Sequence, residues 1–334
     1  MQVPPPDISI LVLAYNHEDY IAQTIESILA QKTNYPYKIL ICDDCSSDNT
    51  RSIIQSYIDK KPNIFTPIFN KRNIGLNETL KIVFSKIDTK YACFLGGDDY
   101  WVDENKIQKQ VDYLECHSDV SFVHTGFQFY IENNHSFGKV INCWKWQMPA
   151  NRKKRIISFF NSEPSFYPCA STCCFKTDPL IKGFEKYPQI LNHGVGEGTL
   201  LHTSMCLFGQ KYHFFPDTTT IYRQRENSLS HFTSKSQYIN FRLDYLHTKI
   251  IVCKLLNIKP DDYYCFVKND IDENLIIAKY YNTIDFFKQK IIDIDLEKKV
   301  LKKYDNILSG DLNLILYFWK IRLLRKIKSK INKK

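Results

Sequence analysis

The sequence predicts an α/β fold: a doubly wound, mostly parallel sheet followed by a helical C-terminal region. Three observations carry that expectation. Continuous apolar runs alternate with amphipathic stripes at short spacing from Ile8 to Glu115. Acidic pairs, Asp43-Asp44 and Asp98-Asp99, sit just past the ends of two of those runs, where such sheets bind their ligands. After about Gln237 the pattern turns helical, with no glycine between Lys211 and Gly310. Strand and helix alternating in this way argue for parallel strands with helices on both faces.

The elements follow in order. Ile8 to Leu13 is rich in Ile, Val and Leu, the composition of a strand buried on both faces. Asp19 is placed to cap a helix whose Ile21, Ile25, Ile28 and Leu29 share a face. Lys38 to Cys42 reads as a second strand, Ser46 to Thr50 as a turn and cap cluster, and Ile53, Ile54, Tyr57 and Ile58 as the stripe of a second helix. A third strand is expected near Ile64 to Phe69, a loop at Asn73-Ile74-Gly75, and a helical stripe at Leu80, Val83, Phe84 and Ile87. Tyr91 to Leu95 is a short buried strand, and Asp103 is placed to cap a helix bearing Ile107, Val111 and Leu114. From Val120 to Tyr222 the pattern reads as strands with long loops. The expected division is an α/β domain over residues 1–236 and a helical region over residues 237–334.

Composition narrows the partners. The 334 residues are 44% hydrophobic and 24% charged, enough to bury a core. The net charge of +9 favours anionic partners. The opening MQVPPPDISILVLAYN lacks a basic segment ahead of its short apolar run, so no signal peptide is expected. No apolar run is long enough for a transmembrane helix. The eleven cysteines, odd in number and scattered, read as mostly reduced and buried in a cytosolic protein.

In ICDDCSSDNT the acids and the cysteines compete for the chemistry. A single Cys-x-x-Cys supplies two of the four ligands a structural zinc needs, and a redox pair would start at a helix N-terminus. Cys42 lies inside an apolar strand, so both cysteines read as packing and the acids as the ligand-facing pair. After the Tyr91 strand comes Gly96-Gly97-Asp98-Asp99-Tyr100-Trp101. Its glycines allow close backbone approach to a ligand, and a carboxylate behind them can hold a hard cation that clamps a diphosphate. The bland alternative is an Asp-rich turn.

In combination these pieces resemble the inverting GT-A glycosyltransferases of family 2. SILVLAYNHEDYIAQTIESILAQ looks like the family's first strand and helix, ICDDCSSDNT like its DDgSxDxT element, and NIG like its Asn-x-Gly loop. FLGGDDYWVDENKIQKQVDYLE looks like a bacterial form of its metal segment. Further along the match thins: YPCASTCCFKTD resembles an acceptor-side strand, and HGVGEGTLLHTSMCLFGQKYHFFPDTTTIYRQRENSLS resembles the catalytic acid segment with its YRxHxxS loop.

The resemblance implies a GT-A, Rossmann-like sheet and a set of roles. Ala14, Tyr15, Glu18, Asp43, Asp44, Asn73, Gly75 and Gly97 would line the donor nucleotide. Asp98 would be the metal-binding acid, with Mn²⁺ or Mg²⁺, and Gly96 stands where the family has another Asp. Glu197 would be the catalytic base, Arg223 would face the diphosphate, and Arg225 occupies a position usually held by His. Asp99, Trp101 and His193 are supporting candidates; Trp144 and Trp146 read as packing. The chemistry is sugar transfer from a nucleoside-diphosphate donor, UDP first, to a glycan or lipid-linked saccharide hydroxyl by one inverting displacement.

From Trp319 to Lys334 there are eight Lys or Arg and no acid, preceded by an apolar stretch. An anionic membrane surface suits such a tail, each charge there being worth about 1 kcal/mol. The expected location is therefore cytoplasmic, peripheral on the inner face of the membrane. No nucleic-acid fold signature accompanies the charge. Two rivals stand beside the transferase. A nucleotidyltransferase would show a glycine-rich loop bearing Lys or Arg after the first strand, unlike AYNHEDY. A catalytically degenerate binding or scaffold protein of the same fold would keep the pocket without turnover.

Overall fold

The structure, a computed structural model, describes residues 6–143, 148–161, 168–192, 196–225, 234–280 and residue 287. His193, Trp144, Trp146 and the basic tail lie outside the described residues. The chain divides into two compact units, Met1–His231 and Phe232–Lys334.

The first unit is built on strands and helices in alternation: β1 Ile8–Ala14, α1 Ile21–Leu29, β2 Tyr37–Asp43, α2 Thr50–Lys60, β3 Phe65–Phe69, α3 Leu76–Phe84 and β4 Tyr91–Gly96. Strands β3, β2, β1 and β4 are neighbours in that order and all parallel. Ile8, Ile10 and Val12 of β1, Ile39 and Ile41 of β2, and Cys93 and Leu95 of β4 are fully buried in one cluster. Ile21, Ile25 and Ile28 of α1 lie in the same cluster, and the stripe read from the sequence is the face that docks. The cap differs. Helix α1 begins at Ile21 with Tyr20 ahead of it and no side-chain cap, so Asp19 does not serve. Backbone bonds from Tyr20 and Ile21 to the His17 carbonyl form the entry turn instead. Asp103 also sits outside its helix: its carboxylate accepts from the Asn105 N–H at 2.9 Å, and α4 runs Lys106–Cys116.

The sheet then changes character. β5 (Tyr100–Trp101), β6 (Val120–Ile131), β7 (Ser136–Ile141), β8 (Cys174–Lys176) and β9 (Lys211–Gln224) complete it, in the order β3-β2-β1-β4-β8-β6-β9-β5 with β7 on β6. β8 is antiparallel to both β4 and β6, whereas β6 and β9 are parallel. The region expected to be strands and loops also holds three helices: α5 (Arg152–Asn161), α6 (Thr177–Lys186) and α7 (Glu197–Phe208). Helix α7 is buried from Leu200 through Leu207. A helix buried on all sides has no polar face and so no stripe to read.

The second unit contains α8 (Lys235–Leu255) and α9 (Pro260–Tyr280). Ser234 and Gln237 form a reciprocal capping box at the start of α8. Arg242 pairs with Glu273, and Lys249 with Asp270 at 2.9 Å. No helix among the described residues is long and apolar enough to cross a membrane.

Candidate active site

A cavity of about 450 Å³ opens at the carboxyl ends of β1, β2 and β4, the place where parallel sheets bind ligands. One wall comes from the parallel half: Ala14, Tyr15, Asp44, Asn73 and Gly75. The floor is Gly96, Gly97, Asp98 and Asp99. Glu197, Tyr222 and Arg225 close the opposite side. Ten residues singled out from the sequence therefore meet here, counting Gly97, Asp98 and Asp99 with the five of the first wall, Glu197 and Arg225.

The Asp43-Asp44 pair divides its labour. Asp43 is fully buried. It accepts from the Ser46 N–H and hydroxyl and pairs with Arg51 at 2.7 Å, so it holds its own turn and does not line the cavity. Asp44 accepts from Asn70 at 2.7 Å and from the Ile74 and Gly75 N–H groups at 3.0 and 2.8 Å. It thereby shapes the Asn73-Gly75 loop, where Gly75 takes a φ of +81° that glycine adopts at no steric cost. Glu18 turns away from the cavity and accepts from the Asn49 N–H and side-chain amide at 2.9 and 2.8 Å. Tyr15 is 45% exposed at the rim, an aromatic face open to a planar ligand.

The floor loop is fixed from below. The Thr24 hydroxyl on α1 donates to the Asp99 carbonyl at 2.7 Å and to the Gly97 carbonyl at 3.0 Å. A Cβ at Gly97 would lie 2.6 Å from the Leu13 carbonyl and 2.7 Å from His17 Nδ1, so the close approach there requires glycine. Asp99 is buried and accepts from the Ser171 hydroxyl at 2.6 Å and the Arg223 N–H at 3.0 Å. Burial, then the neighbouring Asp98 charge, push its carboxyl well above the usual range. Trp101, expected as a supporting residue, is buried; its indole donates to the Ser171 carbonyl at 2.8 Å. Its neighbour Tyr100 bears the outward position of this two-residue strand, which leaves Trp101 facing the core.

Arg223 near the end of β9 and Arg225 just past it take different places. Arg223 is buried between the rings of Tyr20 and Tyr100, at 5.0 and 4.9 Å, and donates to the Asp98 carbonyl at 2.6 Å. It also bonds Gln23 and lies 3.3 Å from Glu132. It is a clamp behind the floor and does not line the cavity. Arg225 does, and its guanidinium meets Asp98 Oδ2 through Nε at 2.8 Å and Nη2 at 2.6 Å. Nη2 also lies 2.9 Å from His17 Nε2. A guanidinium only donates, so His17 accepts there. Burial lowers the His17 pKa, consistent with a neutral ring. The sequence reading missed His17: it follows Asn16, a loop residue at φ +54°, and no periodicity marks it.

Glu197 starts α7 with its carboxylate toward the cavity. Burial is the largest influence on it and raises its pKa; the Asp98 charge pushes the same way. No cluster of three His, Cys, Asp or Glu side chains suited to a metal occurs among the described residues. Asp98 does offer a hard oxygen that already holds a cationic group. One carboxylate combined with substrate phosphates is a normal way to hold Mg²⁺, so the donor set fits a cation that arrives with a diphosphate.

Known proteins share this plan. Two Escherichia coli proteins named UDP-Glc:alpha-D-GlcNAc-diphosphoundecaprenol beta-1,3-glucosyltransferase are similar in sequence. WfaP is 37% identical over 128 residues, 38% of this chain and 47% of the relative. WfgD is 31% identical over 134 residues, 40% of this chain and 50% of the relative. An uncharacterized Mycobacterium bovis protein is 39% identical over 114 residues, 34% of this chain and 33% of its own length. The matched segment thus spans a third to a half of the relatives' lengths. Among solved structures, Staphylococcus aureus TarS residues 1–349 in complex with UDP-GlcNAc superposes with a TM-score of 0.52 at 15% identity, covering 85% of this chain and 90% of that one. That likeness establishes the GT-A fold. The model of glycosyl transferase family 2 matches residues 9–178, just over half of the sequence and the whole run from β1 to the start of α6, so the chain belongs to glycosyl transferase family 2.

Proposed function

We propose that the chain moves a single sugar from a nucleoside-diphosphate sugar, with UDP the first candidate, to a hydroxyl of a glycan or lipid-linked saccharide. The observation that carries the reading is the gathering of Asp44, Asp98, Glu197 and Arg225 around one cavity at the ends of the parallel strands. The activity for which the E. coli relatives are named and the UDP-GlcNAc bound by TarS support the donor class. A bacterial surface polysaccharide is the natural setting for the acceptor.

The roles follow from position. Tyr15, Ala14 and the Asp44-shaped loop of Asn73 and Gly75 hold the base and ribose. Asp98 and Arg225 face the diphosphate, and Arg223 fixes the Asp98 backbone from behind. Mn²⁺ or Mg²⁺ at Asp98 would neutralise the leaving diphosphate. Glu197 takes the proton from the attacking hydroxyl. Burial raises its pKa, which makes it a stronger base than an exposed glutamate. A base on the face opposite the leaving group gives one displacement with inversion. The basic tail would hold the chain at an anionic membrane surface, close to a lipid-linked acceptor.

A second reading, a nucleotide-binding protein without turnover, draws on Gly96 and on the engagement of Asp98 by Arg225. Calorimetric titration of UDP with and without Mn²⁺, beside Asp98→Asn, tests the donor site. Binding that strengthens with Mn²⁺ and loses that gain in the variant is expected. No binding under any condition overturns the UDP reading.

A further inference from the structure

We infer that Arg225 and the divalent cation are rival occupants of Asp98, so that Arg225 sets the cation concentration at which the site loads. The inference deepens the donor-site reading above and rests on it.

The geometry is convergent. Both Arg225 contacts, at 2.8 and 2.6 Å, fall on the same oxygen, Asp98 Oδ2. A hard cation held by Asp98 would draw on the same carboxylate charge that the guanidinium already engages. Two positive groups do not share one carboxylate oxygen at such distances without strong repulsion. Arg225 therefore yields the oxygen only by moving.

Two of the other acids of the cavity are already committed. Asp44 is committed to Asn70, Ile74 and Gly75, and Asp99 to Ser171 and the Arg223 backbone. Position 96 is glycine and brings no second carboxylate. Arg225 is also braced on its far side. His17 Nε2 lies 2.9 Å from Nη2, the Tyr20 ring lies 5.1 Å from the guanidinium carbon, and the His17 backbone is anchored to Thr50 at 2.7 Å. His17 is therefore a positioning residue that favours the arginine over the cation.

The test is Mn²⁺ binding at saturating UDP, read by electron paramagnetic resonance of the free ion, for the full chain and two variants. Arg225→Gln removes the rival, and its Mn²⁺ affinity is expected to rise about fivefold. His17→Ala leaves both charges and loosens only the brace; a rise of about twofold is expected. An unchanged or weaker Mn²⁺ affinity in Arg225→Gln overturns the inference. Should that variant not fold, an unchanged or weaker affinity in His17→Ala does the same. UDP binding is followed in the same samples: UDP bound with an unmoved Mn²⁺ midpoint overturns the competition alone, whereas no UDP bound at any Mn²⁺ concentration overturns the donor site beneath it.

Discussion

The two halves of the first unit's sheet do different work with different means. In the parallel half, the acids are held by nearby chain: Asp43 by Ser46 and Arg51, Asp44 by Asn70 and Gly75. In the mixed half, groups reach the floor loop from far along the sequence: Ser171, Arg223 and Arg225 lie 72, 124 and 127 residues from their partners Asp99, Asp99 and Asp98. The first half supplies a shaped wall; the second brings Arg225 and Glu197 to the cavity. Local contacts give a loop that one sequence segment can specify. Charge placement depends on how far apart strands meet.

The comparison breaks most visibly at Glu197. If the mixed half supplies chemistry and the parallel half the donor wall, Glu197→Gln should lower turnover by about 10²–10⁴-fold while leaving UDP affinity nearly unchanged. An equal loss in both would erase the division. Because burial raises the Glu197 pKa, the acid limb of the turnover profile should lie above the range of an ordinary glutamate, and activity should fall as pH drops through it.

A smaller effect separates the halves by stability. His202 on α7 and His124 on β6 pack around Phe122 and are buried. Burial lowers His202 to about 4, and holds His124 well below its usual value. The folded state keeps these rings neutral, whereas the unfolded chain takes up protons below about 6.5. Stability is thus lost as pH falls from 6.5 toward 4, by up to about 1.4 kcal/mol per pH unit for each ring. Denaturant unfolding of His202→Asn across that window should show a flatter slope. An unchanged slope would mean that His202 does not set the acid lability of the mixed half.

The smallest expected effect sharpens the border. Trp101→Phe removes the bond to the Ser171 carbonyl and should cost about 1 kcal/mol of stability, read by chemical denaturation. UDP affinity should not move, since the side chain does not reach the cavity. A loss of affinity would place Trp101 in the site after all.

Legibility in the sequence follows the same border. The Ile21-Ile25-Ile28 stripe, the apolar strands and the acids at their ends were readable, because one-sided burial and strand ends leave a periodic trace. Helix α7 left none, since nearly every residue from Leu200 to Leu207 is inside. Arg223 and Arg225 were visible as a pair, but which of them lines the cavity was not. Two residues apart on an extended chain they leave on the same side, and only the end of β9 at Gln224 decides which one packs and which reaches the cavity. His17 depended on a loop turn and a glycine neighbour at position 97, contacts that no spacing encodes.

Arg223 reaches the Asp98 carbonyl across 125 residues of chain. During synthesis, β1 to β4 can collapse on their own helices while β9 has yet to be made. The pocket floor is therefore finished late, after a long loop closure whose entropy only the completed sheet repays. A nascent or truncated chain ending before Arg223 would have a folded wall with no clamp behind its glycines. Competence to hold a diphosphate would then report that the last strand has docked, and nucleotide protection against proteolysis would time that event.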